Sequence, residues 1–125
     1  MSASVIRGTI VEGSGAALVA RIKSLDDTYP TQAGISSISY TVIDQKSGST
    51  ITSGTLTITS VWFDTLQTPT FWDEDTTGYN FRWDSPKTNY PEGGRTYAVE
   101  VIFDFASGED VAQSFEITTL PMAGS

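Results

Sequence analysis

Hydrophobic and polar positions alternate with period two along most of this chain, the signature of β-strands that bury one face. The most regular run is TYAVEVIFDF, residues 96–105, which sets Tyr97, Val99, Val101, Phe103 and Phe105 on one side. SSISYTVID, residues 36–44, does the same with Ile38, Tyr40 and Val42. Five less regular runs follow the same rule: 5–11; 17–25 with Leu18, Ala20 and Ile22 inward; 55–61 with Leu56 and Ile58 inward; 79–84; and 111–118. In the run 79–84 the rings of Tyr79, Phe81 and Trp83 share one side, and Asn80, Arg82 and Asp84 take the other. No stretch keeps a helical period.

Between the runs lie glycine and proline signals: Gly13 to Gly15, Tyr29-Pro30, Ser47-Gly48, Ser85-Pro86, the cluster Pro91-Glu92-Gly93-Gly94, and Ser107-Gly108. Glycine supplies positive φ and proline presets φ, so each reverses the chain. About seven short strands with frequent turns predict an all-β, immunoglobulin-like antiparallel sandwich forming one domain over residues 1–125, with a small closed barrel as the alternative. In PEGGRTYAVEV a Pro-Gly turn runs through Thr96-Tyr97 into the most regular strand. This is the order of a tyrosine corner, where the ring hydroxyl bonds back across the turn. Tyr97 is therefore a structural residue. Gly93 and Gly94 are turn formers, because a phosphate cradle requires a helix to follow and here a strand does.

The connection over residues 63–77 stands out by its length, and long structured loops are often functional. It is flanked or occupied by Trp62, Phe63, Phe71 and Trp72. Two readings stay open: the loop plugs one end of the sandwich, or its apolar side chains form an interface. On the second reading those four aromatics are the partner-binding residues.

Composition narrows the chemistry. The chain has neither cysteine nor histidine. Disulfides, thiolate or imidazole metal sites, and triads built on a histidine base are thereby excluded. Hydrolysis by two carboxylates remains formally open, but a small sandwich lacks the cleft for it, so the expectation is a protein that is not an enzyme. The net charge of −8 is uneven: residues 1–63 hold four acids and four bases, whereas residues 64–125 hold eleven acids against Arg82, Lys87 and Arg95. Such a surface repels phosphate backbones and anionic lipid, so neither nucleic acid nor membrane is an expected partner. No run approaches the roughly 18 apolar residues of a membrane span, and MSASVIRGT lacks the pattern of a secretory signal. The expectation is a soluble chain used as translated, or a mature fragment.

The stretch FWDEDTTGYNFRWD, residues 71–84, raises two binding readings. Asp73, Asp75 and Thr77 followed by Gly78 match the first half of a calcium loop, with Asp84 at its twelfth position. The threonine, the short Asp84 side chain and the strand-like YNFRW argue instead for a polar turn entering a strand. The expected cofactor is accordingly none, with calcium as the alternative. Tyr79, Phe81 and Trp83 could stack on a sugar, but an aromatic strand face more often fills a core.

Taken together, VIRGTIVEGSGAALVARIKSL, VWFDTLQTPTFWDEDTTGYNF and GGRTYAVEVIFDFASGEDVAQSFEI resemble small immunoglobulin-like structural proteins of tailed phages and prophages. The resemblance implies a non-enzymatic virion component, capsid-decorating or part of the head-tail neck or tail apparatus, located in the virion. Its implied partners are neighbouring capsid, neck or tail subunits, with self-association also open. From a different class comes the alternative of an extracellular recognition module that binds glycan or calcium. The N-terminal segment is either a self-contained first strand or an arm that pairs along a neighbour's sheet edge.

Overall fold

The alternation resolves into two sheets in the computed structural model, which describes residues 5–11, 14–24, 28–68 and 78–121. In chain order the elements are β1 (Val5–Val11), β2 (Ala16–Ala20), β3 (Ile35–Asp44), β4 (Thr50–Leu56), a single helical turn α1 (Ile58–Val61), β5 (Trp62–Gln67), β6 (Tyr79–Ser85), β7 (Thr96–Phe105) and β8 (Asp110–Leu120). One sheet has the order β1-β8-β7-β3-β4 and the other β2-β6-β5. The sheets are open, so the closed barrel is set aside. Two packed sheets with this strand order form an immunoglobulin-like sandwich. Eight strands are present among the described residues instead of about seven, and one pair is not antiparallel: β1 runs parallel to β8, with Gly8 opposite Ile117. Parallel pairing needs no hairpin, and here the partners are the first and last strands of the described residues.

The predicted inward rows meet between the sheets. From β7, Tyr97, Val99, Val101 and Phe103 are fully buried; Ile38 and Val42 come from β3, and Phe115 and Ile117 from β8. Phe81 of β6 packs edge-on to Phe103 with ring centroids 5.1 Å apart, and Trp62 of β5 meets the same ring at 5.5 Å. T-shaped pairs of this kind add about 0.5–1.5 kcal/mol each to the area they bury.

Three boundaries differ from the expectation. The strand expected over 17–25 ends at Ala20. Beyond it Asn80 takes over: its Nδ2 donates to the Ile22 carbonyl and its Oδ1 accepts from the Ile22 N–H, both at 2.8 Å. A side-chain amide thus stands in for a strand neighbour, which explains why Asn80 is 1% exposed on a side of β6 that was expected to face water. The strand expected over 55–61 is divided, because β4 stops at Leu56 and α1 turns the chain so that Val61 and Trp62 enter the core. The connection expected over 63–77 is shorter than that, since β5 occupies it as far as Gln67.

The corner before β7 is built as anticipated and then reinforced. The Glu92 N–H donates to Tyr97 Oη at 3.0 Å, and Tyr97 Oη donates to the Glu92 carbonyl at 3.3 Å. Gly94 sits at φ +73°, a conformation few residues other than glycine adopt, and its N–H donates to the Thr119 carbonyl at 2.8 Å. Thr119 Oγ1 donates to the Glu92 carbonyl at 2.6 Å. Arg95 then bridges Asp44 at 2.6 Å and Glu92 at 2.7 Å. Asp44 closes the inward row Ile38, Tyr40, Val42, so a carboxylate arrives at the edge of an apolar face and needs this partner.

Candidate functional site

Most charged side chains with described contacts are committed to structure. Arg95 holds Asp44 and Glu92, Arg7 lies 3.4 Å from Glu116, and Arg82 lies 3.0 Å from Asp84. Among the described residues no group of three His, Cys, Asp or Glu side chains converges as a metal site. Tyr90, fully buried, donates to Ser85 Oγ at 2.6 Å, and Ser85 passes its own hydrogen to the Ala16 carbonyl at 2.7 Å. Burial pushes the Tyr90 phenol up, and the Ser85 bond only partly offsets it. That chain of hydroxyls ties β2 to β6.

Among the described residues a groove of about 510 Å³ is lined by Ser60, Val61, Phe63, Arg82, Trp83 and Asp84. Local folding explains its shape. β5 pairs with β6 at Trp62 opposite Phe81, and α1, not a further strand residue, lies beside the next part of β6. The helical turn stands where a strand neighbour would have closed the sheet. The floor is the edge of Trp83, whose ring packs tilted at 45° against Tyr40, with centroids 4.5 Å apart. One wall is Phe63, half-buried and held edge-on by Tyr79 at 5.9 Å. The rim carries the Arg82–Asp84 pair, and the hydrogen bond that Arg82 donates to the Asp84 carboxylate pushes the guanidinium further up, so it stays charged. An apolar floor under a balanced polar rim suits a side chain with an apolar body and polar flanks.

The expected partner-binding set divides accordingly. Phe63 lines the groove. Trp62 does not reach the surface: it is 1% exposed, packs on Phe103, and donates from Nε1 to the Pro30 carbonyl at 3.0 Å. Its place as a partner-binding residue is corrected to core, because α1 rotates it inward. Phe71 and Trp72 lie outside the described residues, as do Asp73, Asp75 and Thr77. Asp84 is described, and it rules out the calcium ligand set as drawn. Six residues of extended strand put it about 20 Å from Gly78, out of reach of an ion held by Thr77. The aromatic face of Tyr79, Phe81 and Trp83 fills the core, the reading preferred above over sugar stacking: the three are 3%, 0% and 9% exposed. Tyr97, Gly93 and Gly94 stand in the corner where the sequence put them.

Three contributors escaped the sequence reading. Asn80 carried no signal, because its partner Ile22 is 58 positions away. Ser60 and Val61 fall in the run 55–61, whose alternation predicts a strand where the chain forms α1. The Asp44–Arg95 pair did leave a trace: an acid in phase with Ile38, Tyr40 and Val42 calls for a buried cation.

No family model matches the chain. No curated protein matches it either. Among solved structures it is similar to CopC from Methylosinus trichosporium OB3b, at a TM-score of 0.47 and 13% identity, covering 99% of this chain and 90% of that one. The expected role as a tailed-phage virion protein is corrected accordingly: the solved structure to which this chain is similar is CopC, not a phage component. At that identity and TM-score the likeness transfers no function of its own.

Proposed function

We propose that this domain is a non-catalytic interaction module that binds a segment of another protein in the groove beside α1. The observation that carries the reading is the end of the β5–β6 pairing at Trp62 and Phe81, beyond which α1 stands beside β6 and a groove lined by Phe63 and Trp83 stays open. A partner residue with an apolar side chain fits the floor, and hydrogen-bonding groups on either side of it meet Arg82, Asp84 and Ser60. Catalysis has no support in the same place: the only acid lining the groove, Asp84, is bonded to Arg82. A water-activating pair would need a second carboxylate there.

The test is selection from a displayed random-peptide library on the wild-type domain, with Phe63→Ser as the counter-target. The expected result is a set of peptides that share an aromatic or aliphatic anchor and lose at least tenfold in affinity on Phe63→Ser and on Arg82→Glu. Peptides that bind both variants as well as wild type, or a selection that enriches nothing, would remove the groove as the binding surface.

A further inference from the structure

The first strand reads VIRGTIV and is its own mirror in hydrophobic pattern about Gly8: apolar at 5, 6, 10 and 11, polar at 7 and 9. It is also the edge of the five-stranded sheet, with β8 on one side and no strand on the other among the described residues. Edge strands of natural proteins are usually blunted by proline, lysine, a bulge or a cover. β1 has none of the first two, and its register against β8 runs unbroken from Val5 to Val11. Among the described residues, three of the five exposed large apolar side chains gather here: Ile6, Val11, and Leu120 directly opposite Val11.

We infer that β1 is a self-association edge, pairing antiparallel with β1 of a second copy about a two-fold axis at Gly8. In that register Val5 stands opposite Val11 of the other copy, Ile6 opposite Ile10, and Arg7 opposite Thr9. Every apolar position meets an apolar one, and neither arginine meets a like charge. The period of two keeps each pair on one face, so Ile6 and Ile10 of the two copies cover one another on the sandwich side. The two five-stranded sheets become one continuous sheet, and the contact is isologous, so it closes at a dimer and builds no filament. Main-chain hydrogen bonds supply the affinity and the side-chain pattern supplies the register. Seven residues a side place this at the small end of interfaces, so the dimer is weak and concentration-dependent. This surface is separate from the groove beside α1, and either proposal stands without the other.

Gly8 gives a direct readout, because the chain has no cysteine of its own. A Cβ at Gly8 would meet only Ile117 Cδ1 at 3.5 Å, an ordinary contact, so Gly8→Cys is accommodated. Residues facing each other at the axis have Cα atoms about 4.5–5.5 Å apart, within the range a disulfide bridges. Under mild oxidation Gly8→Cys is expected to form a covalent dimer at least tenfold faster than Ser53→Cys, an exposed control on the opposite edge strand β4. In sedimentation equilibrium, Thr9→Lys, which sets lysine against Arg7 twice by symmetry, is expected to weaken the dimer about tenfold, and Thr9→Glu to strengthen it. Thr9 is exposed, so neither change disturbs the fold. A protein that stays monomeric at all concentrations, equal cross-linking of the two cysteine variants, or indifference to the charge at position 9 would each overturn the inference.

Discussion

Replacing Asn80 with alanine removes two 2.8 Å hydrogen bonds at once and leaves both the N–H and the carbonyl of Ile22 without their partner. Each orphaned buried group costs about 1–3 kcal/mol, so the two together cost about 2–6 kcal/mol. Unfolding entropy of about 2.1 cal/mol/K per residue makes each kcal/mol worth about 4 °C in a domain of this length, so Tm falls by about 8–24 °C. Differential scanning calorimetry at neutral pH reads this directly. Asn80→Asp sharpens the argument, because it keeps the shape but turns the Nδ2 donor into a carboxylate oxygen facing the Ile22 carbonyl. It is expected to be at least as harmful at neutral pH. Relative to wild type it recovers in acid, where the protonated carboxyl regains a donor. A loss under about 4 °C for the alanine variant, or an aspartate variant whose deficit is independent of pH, would refute the claim that Asn80 replaces a strand neighbour.

Four other outcomes follow from the same contacts. Tyr97→Phe removes the corner hydroxyl and is expected to lower stability by about 1–3 kcal/mol in urea titration, with the m-value unchanged. Gly78→Ala places a Cβ against the Gln67 carbonyl at φ +96° and is expected to cost more than about 2 kcal/mol or to fail to fold, which a thermal melt would show. Asp104 and Asp110 face each other across β7 and β8, and the hydrogen bond to Asp104 holds the Asp110 carboxyl above the usual range. An acid whose folded pKa is raised stabilises below its unfolded value and loses that contribution as pH rises through the folded one. Asp110→Asn is therefore expected to raise Tm at pH 7 and to lose that advantage below about pH 4. Arg95→Ala strands Asp44 and is expected to cost about 2 kcal/mol, partly restored by the second change Asp44→Asn, as a double-mutant cycle would measure.

How much of this was legible depended on distance along the chain. β7 was read end to end because its alternation never breaks, and the Tyr97 corner because turn, ring and strand sit within eleven residues. Trp62 was misplaced because α1 resets the phase between two strands, and four residues are too few to show a helical period. Asn80 and Arg95 act on Ile22 and Asp44, more than fifty positions away, so only the folded chain reveals them. The groove is harder still, since it arises from a strand neighbour that is missing beside β6. A sequence records what is present, and the gap appears only when β5 and β6 are laid side by side.

The binding claim is tested most directly by nitrogen-15 NMR titration of the wild-type domain with a groove-selected peptide. The indole N–H of Trp83, assigned with Trp83→Phe, is expected to shift with Phe63 and Ser60, while that of Trp62, bonded to the Pro30 carbonyl inside the core, stays in place. Shifts confined to β1, to β4 or to the loop ends, with Trp83 unmoved, would contradict it.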